Sequence, residues 1–204
     1  MPFIKSKLTQ EAAPQASGAS QIAALSSPDV DTRWRAARAL GGNQEAVAAL
    51  ATALAGERVP RVRQAIITAL VRTGDDASVA ALLPYLRSQD AGQRSAAIEA
   101  LQELPEGILP FMTSLLSDSD SDVRLLAAEL VRNFPAVHAT RLLCGLLEQE
   151  QHANVCAAAV DVLAEIGTPE AFPALHACAE RFARTPFLPF AVSIAIARIS
   201  DAKG

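Results

Sequence analysis

The residues best suited to chemistry lie together near the C-terminus. All three histidines and all three cysteines fall between residues 138 and 178: His138, Cys144, His152, Cys156, His176 and Cys178. The spacing of His152 and Cys156, i and i+4, places both on one helix face, where they could hold a soft metal or a thiol-linked pigment. Alternatively, the cysteines pack as small apolar residues, as free cysteine commonly does. No Cys-x-x-Cys or His-Glu-x-x-His spacing accompanies them, and we predict no cofactor and no metal.

No other catalytic motif is apparent in the sequence. It contains no glycine-rich phosphate loop, no serine nucleophile elbow and no kinase-type set of residues. A catalyst needs a few unlike groups that converge on one reacting atom, whereas most acidic residues here recur at regular intervals. We therefore predict that the protein is not an enzyme.

Composition narrows the class of protein. The 204 residues include 18 Lys and Arg and 22 Asp and Glu. Half of all residues are apolar, and only 4% are aromatic. The net charge of -4 argues against a general polyanion binder. The sequence has no run of 18 apolar residues, so we expect no membrane span. Three cysteines imply no disulfide framework and fit a reducing compartment. We predict a cytoplasmic protein that binds neither nucleic acid nor membrane.

A short sequence motif recurs along most of the chain. It consists of an Arg, a pair of small or aliphatic residues three and four positions later, and a Leu or Val seven positions later, as in Arg33 to Leu40. In a fifth copy Cys156 takes the place of the Arg, and a degenerate sixth copy runs from Val192 to Ile199. The first residue of each copy is here called the anchor; the anchors are Arg33, Arg63, Arg94, Arg124, Cys156 and Val192. Their separations of 30, 31, 30, 32 and 36 residues indicate repeated supersecondary units.

Each repeat is predicted to be a pair of helices. Apolar residues at three- and four-residue intervals after each anchor define the buried stripe of a second helix, and a shorter amphipathic stretch precedes it. Glycine and proline mark the joints, as at Gly41, Gly74 and Pro135. Such pairs bury both faces only by stacking, so we predict an all-α, right-handed α-solenoid of about six two-helix repeats.

The pattern resembles HEAT repeats, in particular the short bacterial form found in phycobilisome-lyase-like proteins. The resemblance covers about residues 22–200 and depends on Asp-x-x-x-Arg phrases followed by a small or aliphatic residue and then Leu or Val: Asp29–Arg33, Asp90–Arg94 and Asp120–Arg124. The second repeat departs from the pattern because Val59 takes the place of the acid, and the fifth and sixth lack both charges. The family hosts many functions, so the motif indicates fold rather than activity.

The repeated charges predict a structural ladder. An Asp four residues before an Arg can accept the first N–H groups of a helix and contact the Arg one turn later. We assign this role to Asp29, Arg33, Arg63, Asp90, Arg94, Asp120 and Arg124. An anion-binding ladder is the alternative, but the family resemblance implies the structural role.

The predicted binding surface lies on the second helices, which usually line the concave side of such an array. Positions one, five and nine residues after each anchor point away from the core stripe, and they pass from basic to acidic along the chain. The candidate partner-binding residues are Trp34, Arg38, Gln64, Thr68, Arg72, Ser95, Glu99, Leu125, Glu129 and Asp161. Trp34 is either an interface anchor flanked by arginines or a cap over the first repeat.

Residues 1–19 are predicted to be a flexible leader, and residues 20–204 the repeat array. Phe3, Ile4 and Leu8 surround two lysines at the tip of the leader, which either docks onto a partner or stays disordered. The sequence as a whole predicts a non-enzymatic scaffold or adaptor, a monomer or weak homodimer, that binds another protein on its concave face. The alternative is a bilin lyase-like chaperone or enzyme acting on a tetrapyrrole-carrying protein, as the family resemblance implies.

Overall fold

A computed structural model describes residues 17–185 and 187–201, and this part of the chain is helical throughout, with no strand. The α-helices in chain order are α1 (Gly18–Ala24), α2 (Val30–Ala39), α3 (Val47–Gly56), α4 (Pro60–Thr73), α5 (Asp76–Leu82), α6 (Ala91–Gln102), α7 (Pro105–Ile108), α8 (Met112–Leu116), α9 (Ser121–Leu130), α10 (Ala136–Gln149), α11 (Ala153–Ile166), α12 (Phe172–Arg181) and α13 (Phe187–Asp201). The first sixteen residues of the predicted leader lie outside the described part, and Gly18 already begins α1.

The helices form six consecutive pairs, here called repeats 1 to 6. Their second helices are α2, α4, α6, α9, α11 and α13, and each contacts the second helix of the next repeat. The first-helix segments form a parallel layer in which α3 contacts α5, α5 contacts α7, α8 contacts α10, and α10 contacts α12. Contacts between neighbouring repeats in two layers define an α-solenoid, which confirms the predicted fold.

Proline interrupts the first helices of the middle repeats. Pro84 lies in a 3-10 turn, Leu83–Arg87, that follows α5, and Pro110 lies in a second one, Leu109–Phe111, between α7 and α8. Proline lacks the N–H that a helix interior needs, so the α-helical hydrogen bonding stops at these points. The second helices α6 and α9 contain no proline and run unbroken.

One continuous core lies between the two layers. The residue three positions after each anchor is almost fully buried and is alanine in five of the six repeats, for example Ala36, Ala97 and Ala127. Such small side chains let neighbouring helices approach closely, while Leu40, Leu70 and Leu101 fill the space between the layers. The core therefore follows the repeat period that the sequence shows.

Candidate partner-binding face and repeat joints

The anchor of each of the first five repeats ties its helix pair together. Its side chain donates to the backbone carbonyl of the residue six positions earlier, here called the joint residue. The joint residues are Ser27, Glu57, Ser88, Asp118 and Glu150. The donor–acceptor distances from Arg33, Arg63, Arg94 and Arg124 are 2.9, 3.4, 2.6 and 2.7 Å. Cys156, the anchor of repeat 5, makes the same contact weakly, with Sγ 3.9 Å from the carbonyl oxygen of Glu150.

The side chain of every joint residue fixes the start of the second helix. It accepts the backbone N–H two residues later, across 3.2 Å in repeats 1 and 3, 2.8 Å in repeats 2 and 5, and 2.9 Å in repeat 4. Each joint residue thus contacts its own repeat through both backbone and side chain, although the residue type varies among Ser, Asp and Glu.

The aspartates of the predicted ladder cap helices. The Asp29 carboxylate accepts the N–H of Thr32 at 2.8 Å, Asp90 accepts those of Gly92 and Gln93, and Asp120 accepts that of Asp122. Among the ion pairs of the described residues, none joins one of these aspartates to the arginine four residues later. The arginines donate to joint carbonyls instead, and two of them reach the next repeat.

Two buried ion pairs cross from one repeat to the next. Arg33 binds Glu57 of repeat 2 in a bidentate pair of 2.7 and 3.2 Å, and Arg124 binds Glu150 of repeat 5 at 2.6 and 3.0 Å. The glutamate side chains are only 5% and 3% exposed. Both glutamates stand in repeats that lack the capping aspartate, since Val59 and His152 occupy that position. In these two repeats the joint residue is a glutamate, and its side chain adds a link to the preceding repeat.

Electrostatics hold both glutamates in the charged form. The hydrogen bond from Arg33 lowers the pKa of Glu57 against the opposing effect of burial. For Glu150 burial is the largest single influence and raises the pKa, but hydrogen bonds from Arg124 and from His152 together lower it from 4.5 to about 2. These carboxylates are structural anions whose charge is already satisfied inside the fold.

The other joints are linked differently. Asp118 of repeat 4 forms an ion pair with Arg87 of repeat 3. At the joint between repeats 2 and 3 the joint residue is Ser88, and no ion pair in the described part of the chain includes Arg63. The carbonyls of Leu147 and Glu150 in repeat 5 accept hydrogen bonds from Arg181 of repeat 6, at 2.7 and 2.8 Å.

The ten candidate partner-binding residues lie on the outer side of the second helices, which we call the second-helix face. Seven are exposed: Arg38, Gln64, Thr68, Arg72, Ser95, Glu99 and Asp161. Trp34, Leu125 and Glu129 are partly buried. The structure thus places all ten where a partner could reach them; whether a partner binds them remains a prediction.

The basic end of this face is arranged around Trp34. The Arg38 guanidinium lies over the indole ring, 4.7 Å from its centroid, in a cation–π contact. Arg72 of the next repeat packs so closely on Gly41 that a Cβ there would lie 3.2 Å from the Arg72 Cδ atom. Trp34 also packs against the core, so it has features of both a surface anchor and an end cap.

The acidic end of the face is partly neutralised. Arg132 donates to Asp161 at 3.0 Å, forms an ion pair with Glu165, and lies 3.9 Å from Glu129. These contacts raise the pKa of Arg132 and connect repeats 4 and 5 across the outer surface. The charge left for a partner is therefore smaller here than the sequence suggests.

The histidine and cysteine residues do not form one site. Cys156 and Cys178 are fully buried, and the neighbouring Cys178 thiol together with burial raises the pKa of Cys156. His138 and His176 are exposed on α10 and α12, and His152 contacts Glu150 through Nδ1 at 3.0 Å. No group of three His, Cys, Asp or Glu residues in residues 17–185 and 187–201 is placed to hold a metal ion.

Two of the hollows on the surface of the described residues bear on the joints and on the second-helix face. The larger, about 520 Å³, lies beside the joint of repeats 4 and 5 and is lined by Leu116, Arg124, Arg141, Leu146, Glu150 and His152 among others. The smaller, about 400 Å³, lies on the second-helix face between α11 and α13. Beside it Phe190 is 68% exposed and Ile194 41% exposed. The sequence analysis identified neither of these residues, nor Glu57 and Glu150.

Six stacked helix pairs with a variable outer face define the class of helical-repeat solenoid proteins. Within this class, the family described as HEAT repeats matches residues 20–102 and 108–184. The chain therefore belongs to the HEAT-repeat family. No helix in the described part of the chain has the length and apolar character needed to cross a membrane.

Individual relatives and solved structures resemble this chain to different extents. The bilin biosynthesis protein PecE of Nostoc sp. (strain PCC 7120) is 45% identical over 74 residues, which is 35% of this chain and 29% of that protein. The complex of CpcE and CpcF of phycocyanin lyase from Nostoc sp. PCC7120 is 19% identical over 97% of this chain and all of the matched chain, with a TM-score of 0.42. A designed armadillo repeat protein in complex with the peptide (KR)4 is 17% identical over 90% of this chain and all of its own, with a TM-score of 0.43.

Proposed function

We propose that the protein is a non-enzymatic adaptor that holds another protein on its second-helix face. The observation that supports this most directly is the contrast between constant buried positions and variable outer positions. Every second helix buries the positions that recur with the repeat period, while the outer positions change from Trp34 and Arg38 to Thr68, Glu99 and Asp161. A scaffold needs the first set to be constant, whereas a specific partner needs the second set to differ.

The physical basis of binding is pre-organisation. The second helices are fixed by joint hydrogen bonds and by the continuous core, so their exposed side chains need little backbone ordering when a partner arrives. Trp34 with its stacked Arg38 has the composition typical of an interface hot spot. A partner in the cytoplasm with a complementary surface would be oriented by the basic and acidic ends of the face.

A photo-reactive amino acid placed in the chain tests this assignment. We expect a probe at Thr68, exposed on α4, to cross-link a protein partner in native cells, and a probe at Ala80, exposed on α5 in the other layer, to cross-link none. The Trp34→Ala and Arg38→Glu variants should weaken capture about ten-fold or more while helix content stays unchanged. Equal cross-linking from both layers would contradict the assignment.

A second candidate function is supported by the segment similar to PecE, whose name describes bilin biosynthesis. In this case the protein would hold or transfer a linear tetrapyrrole. Mixing the purified chain with a bilin and recording absorption spectra tests the idea. A red-shifted, saturable spectrum would support it, and an unchanged spectrum would remove it.

A further inference from the structure

The two ends of the second-helix face differ in shape. In repeat 1 the position after the anchor holds Trp34, the largest side chain in the chain, covered by Arg38. In repeat 5 the same position holds Ala157, and with Ala164 it leaves the hollow of about 400 Å³. Its other walls and rim are Val160, Asp161, Phe190, Ala191, Ile194 and Arg198. One end of the face is thus filled by a large aromatic side chain where the other end recedes.

The two ends also differ in charge. Residues 28–73 carry seven arginines against four acidic residues, a net charge of +3, whereas residues 74–183 carry six against sixteen, a net charge of -10. Arg38 and Arg72 are exposed at the basic end, and no ion pair in the described part of the chain includes either. Asp161, which is 63% exposed and also contacts Arg132, and the exposed Arg198 are the charged residues at the rim of the hollow.

The basic end with Trp34 and the acidic end with the hollow are complementary surfaces, and both lie on the second-helix face of one chain. A two-fold axis that lies in the plane of that face, perpendicular to the long axis of the array, turns the basic end of one copy, with its Trp34, onto the acidic, hollow end of the other, and makes the same contact twice. It would also cover Phe190, which is 68% exposed to water in a single chain. An unrelated partner would have to supply both complementary features itself, whereas a second copy already has them.

We propose that a second copy of this chain docks antiparallel on the second-helix face. Trp34 and Arg38 of each copy pack over the hollow between α11 and α13 of the other, and Arg38 faces Asp161 across the interface. The proposal uses the same face as the proposed adaptor function, so a partner protein and a second copy would compete for it. Its test uses only the purified chain, so the two proposals can fail independently.

Sedimentation velocity over a range of protein concentrations tests the proposal. We expect wild type to reach twice the mass of one chain by about 100 µM, with the dimer weakening as salt increases because charge attraction is screened. Arg38→Glu, Asp161→Arg and Trp34→Ala should each raise the dimer dissociation constant about ten-fold or more. The matched control is Arg141→Glu, an exposed arginine on the first-helix layer, which should leave the constant unchanged.

Mixing the two charge-reversed chains gives the sharper measurement. Each variant alone places like charges across both contacts, but a mixed dimer of Arg38→Glu and Asp161→Arg pairs opposite charges at both. We therefore expect the mixture to dimerise and each component alone to stay monomeric. Circular dichroism of each variant checks folding, because Asp161→Arg also lies near Arg132 of its own chain.

Three results would overturn the proposal. Wild type that stays monomeric up to about 100 µM would show that the face serves another partner or none. A mixture of the two folded, charge-reversed chains that stays monomeric would exclude the pairing of Arg38 with Asp161. Association into species larger than a dimer would replace the two-fold contact by an open head-to-tail one.

Discussion

Neighbouring repeats are joined by different contacts at two places in the array. The two places are the joint between repeats 4 and 5 and the joint between repeats 2 and 3. At the first, Glu150 accepts two backbone N–H groups and a bidentate Arg124 from the preceding repeat. At the second, Ser88 accepts one N–H group, and Asp90 caps the helix. Both joint residues hold the backbone just before the second helix, but only Glu150 also links its repeat to the preceding one.

Removal of Glu150 should give the largest effect. Glu150→Ala leaves Arg124 partly buried without its carboxylate and leaves two backbone N–H groups without an acceptor, so we expect the free energy of unfolding to fall by about 3–5 kcal/mol. Urea unfolding with hydrogen exchange of α10 and α11 measures the change. A loss below about 1 kcal/mol would show that the pair contributes no more than an exposed ion pair.

Acid should weaken the same joint. The pKa of Glu150 falls from 4.5 to about 2 on folding, so its contribution is fully present above pH 4.5 and is lost as pH falls through 2, an amount of about 3 kcal/mol. We expect urea midpoints to drop over this interval in wild type. Glu150→Gln should remove most of this pH dependence, and an unchanged slope would assign it to other carboxylates.

A smaller effect is expected at the serine joint. Asp90→Ala removes the side chain that caps α6, and we expect a loss of about 1 kcal/mol in the free energy of unfolding. Asp29→Ala provides the matched comparison in repeat 1, because Asp29 caps α2 through a single backbone N–H. Protection of the first amides of α6 should fall while that of α11 stays constant.

The glutamate arrangement can also be built where it is absent. Ser88→Glu with Asp90→Val gives repeat 3 the same pair of residues as Glu57 and Val59, and offers Arg63 a carboxylate. We expect the double variant to be more stable than the sum of its single variants predicts, by about 0.5–1 kcal/mol. Simple additivity in urea unfolding would show that Arg63 does not reach this position.

The period of the sequence predicted the array but not these links. Anchors spaced about 30 residues apart, with small or aliphatic residues at fixed offsets, define the helix pairs because buried positions must recur when similar units stack. Glu57 and Glu150 break the repeat, and their partners are 24 and 26 residues away. The sequence held one indication of these links. A glutamate stands six residues before the anchor in repeats 2 and 5, which have no aspartate four residues before it.

The surface of the last repeat was also beyond prediction from periodicity. Phe190 and Ile194 occur in an apolar helix and are typical of a core, but α13 has no following described repeat to cover them. The ladder arginines illustrate a related point. Their spacing from aspartate suggested a contact along the helix, but a guanidinium has five donors and satisfies several of them on carbonyls of the preceding turn.

Pro84 and Pro110 have a consequence for how the two layers move. Both interrupt the first-helix layer in the middle repeats, where backbone amides rely on short 3-10 hydrogen bonds, while α6 and α9 opposite them are continuous. Brief local opening should therefore begin in one layer and leave the other intact. We therefore expect the array to bend at its centre through the first-helix layer, while the unbroken helices α6 and α9 keep their shape.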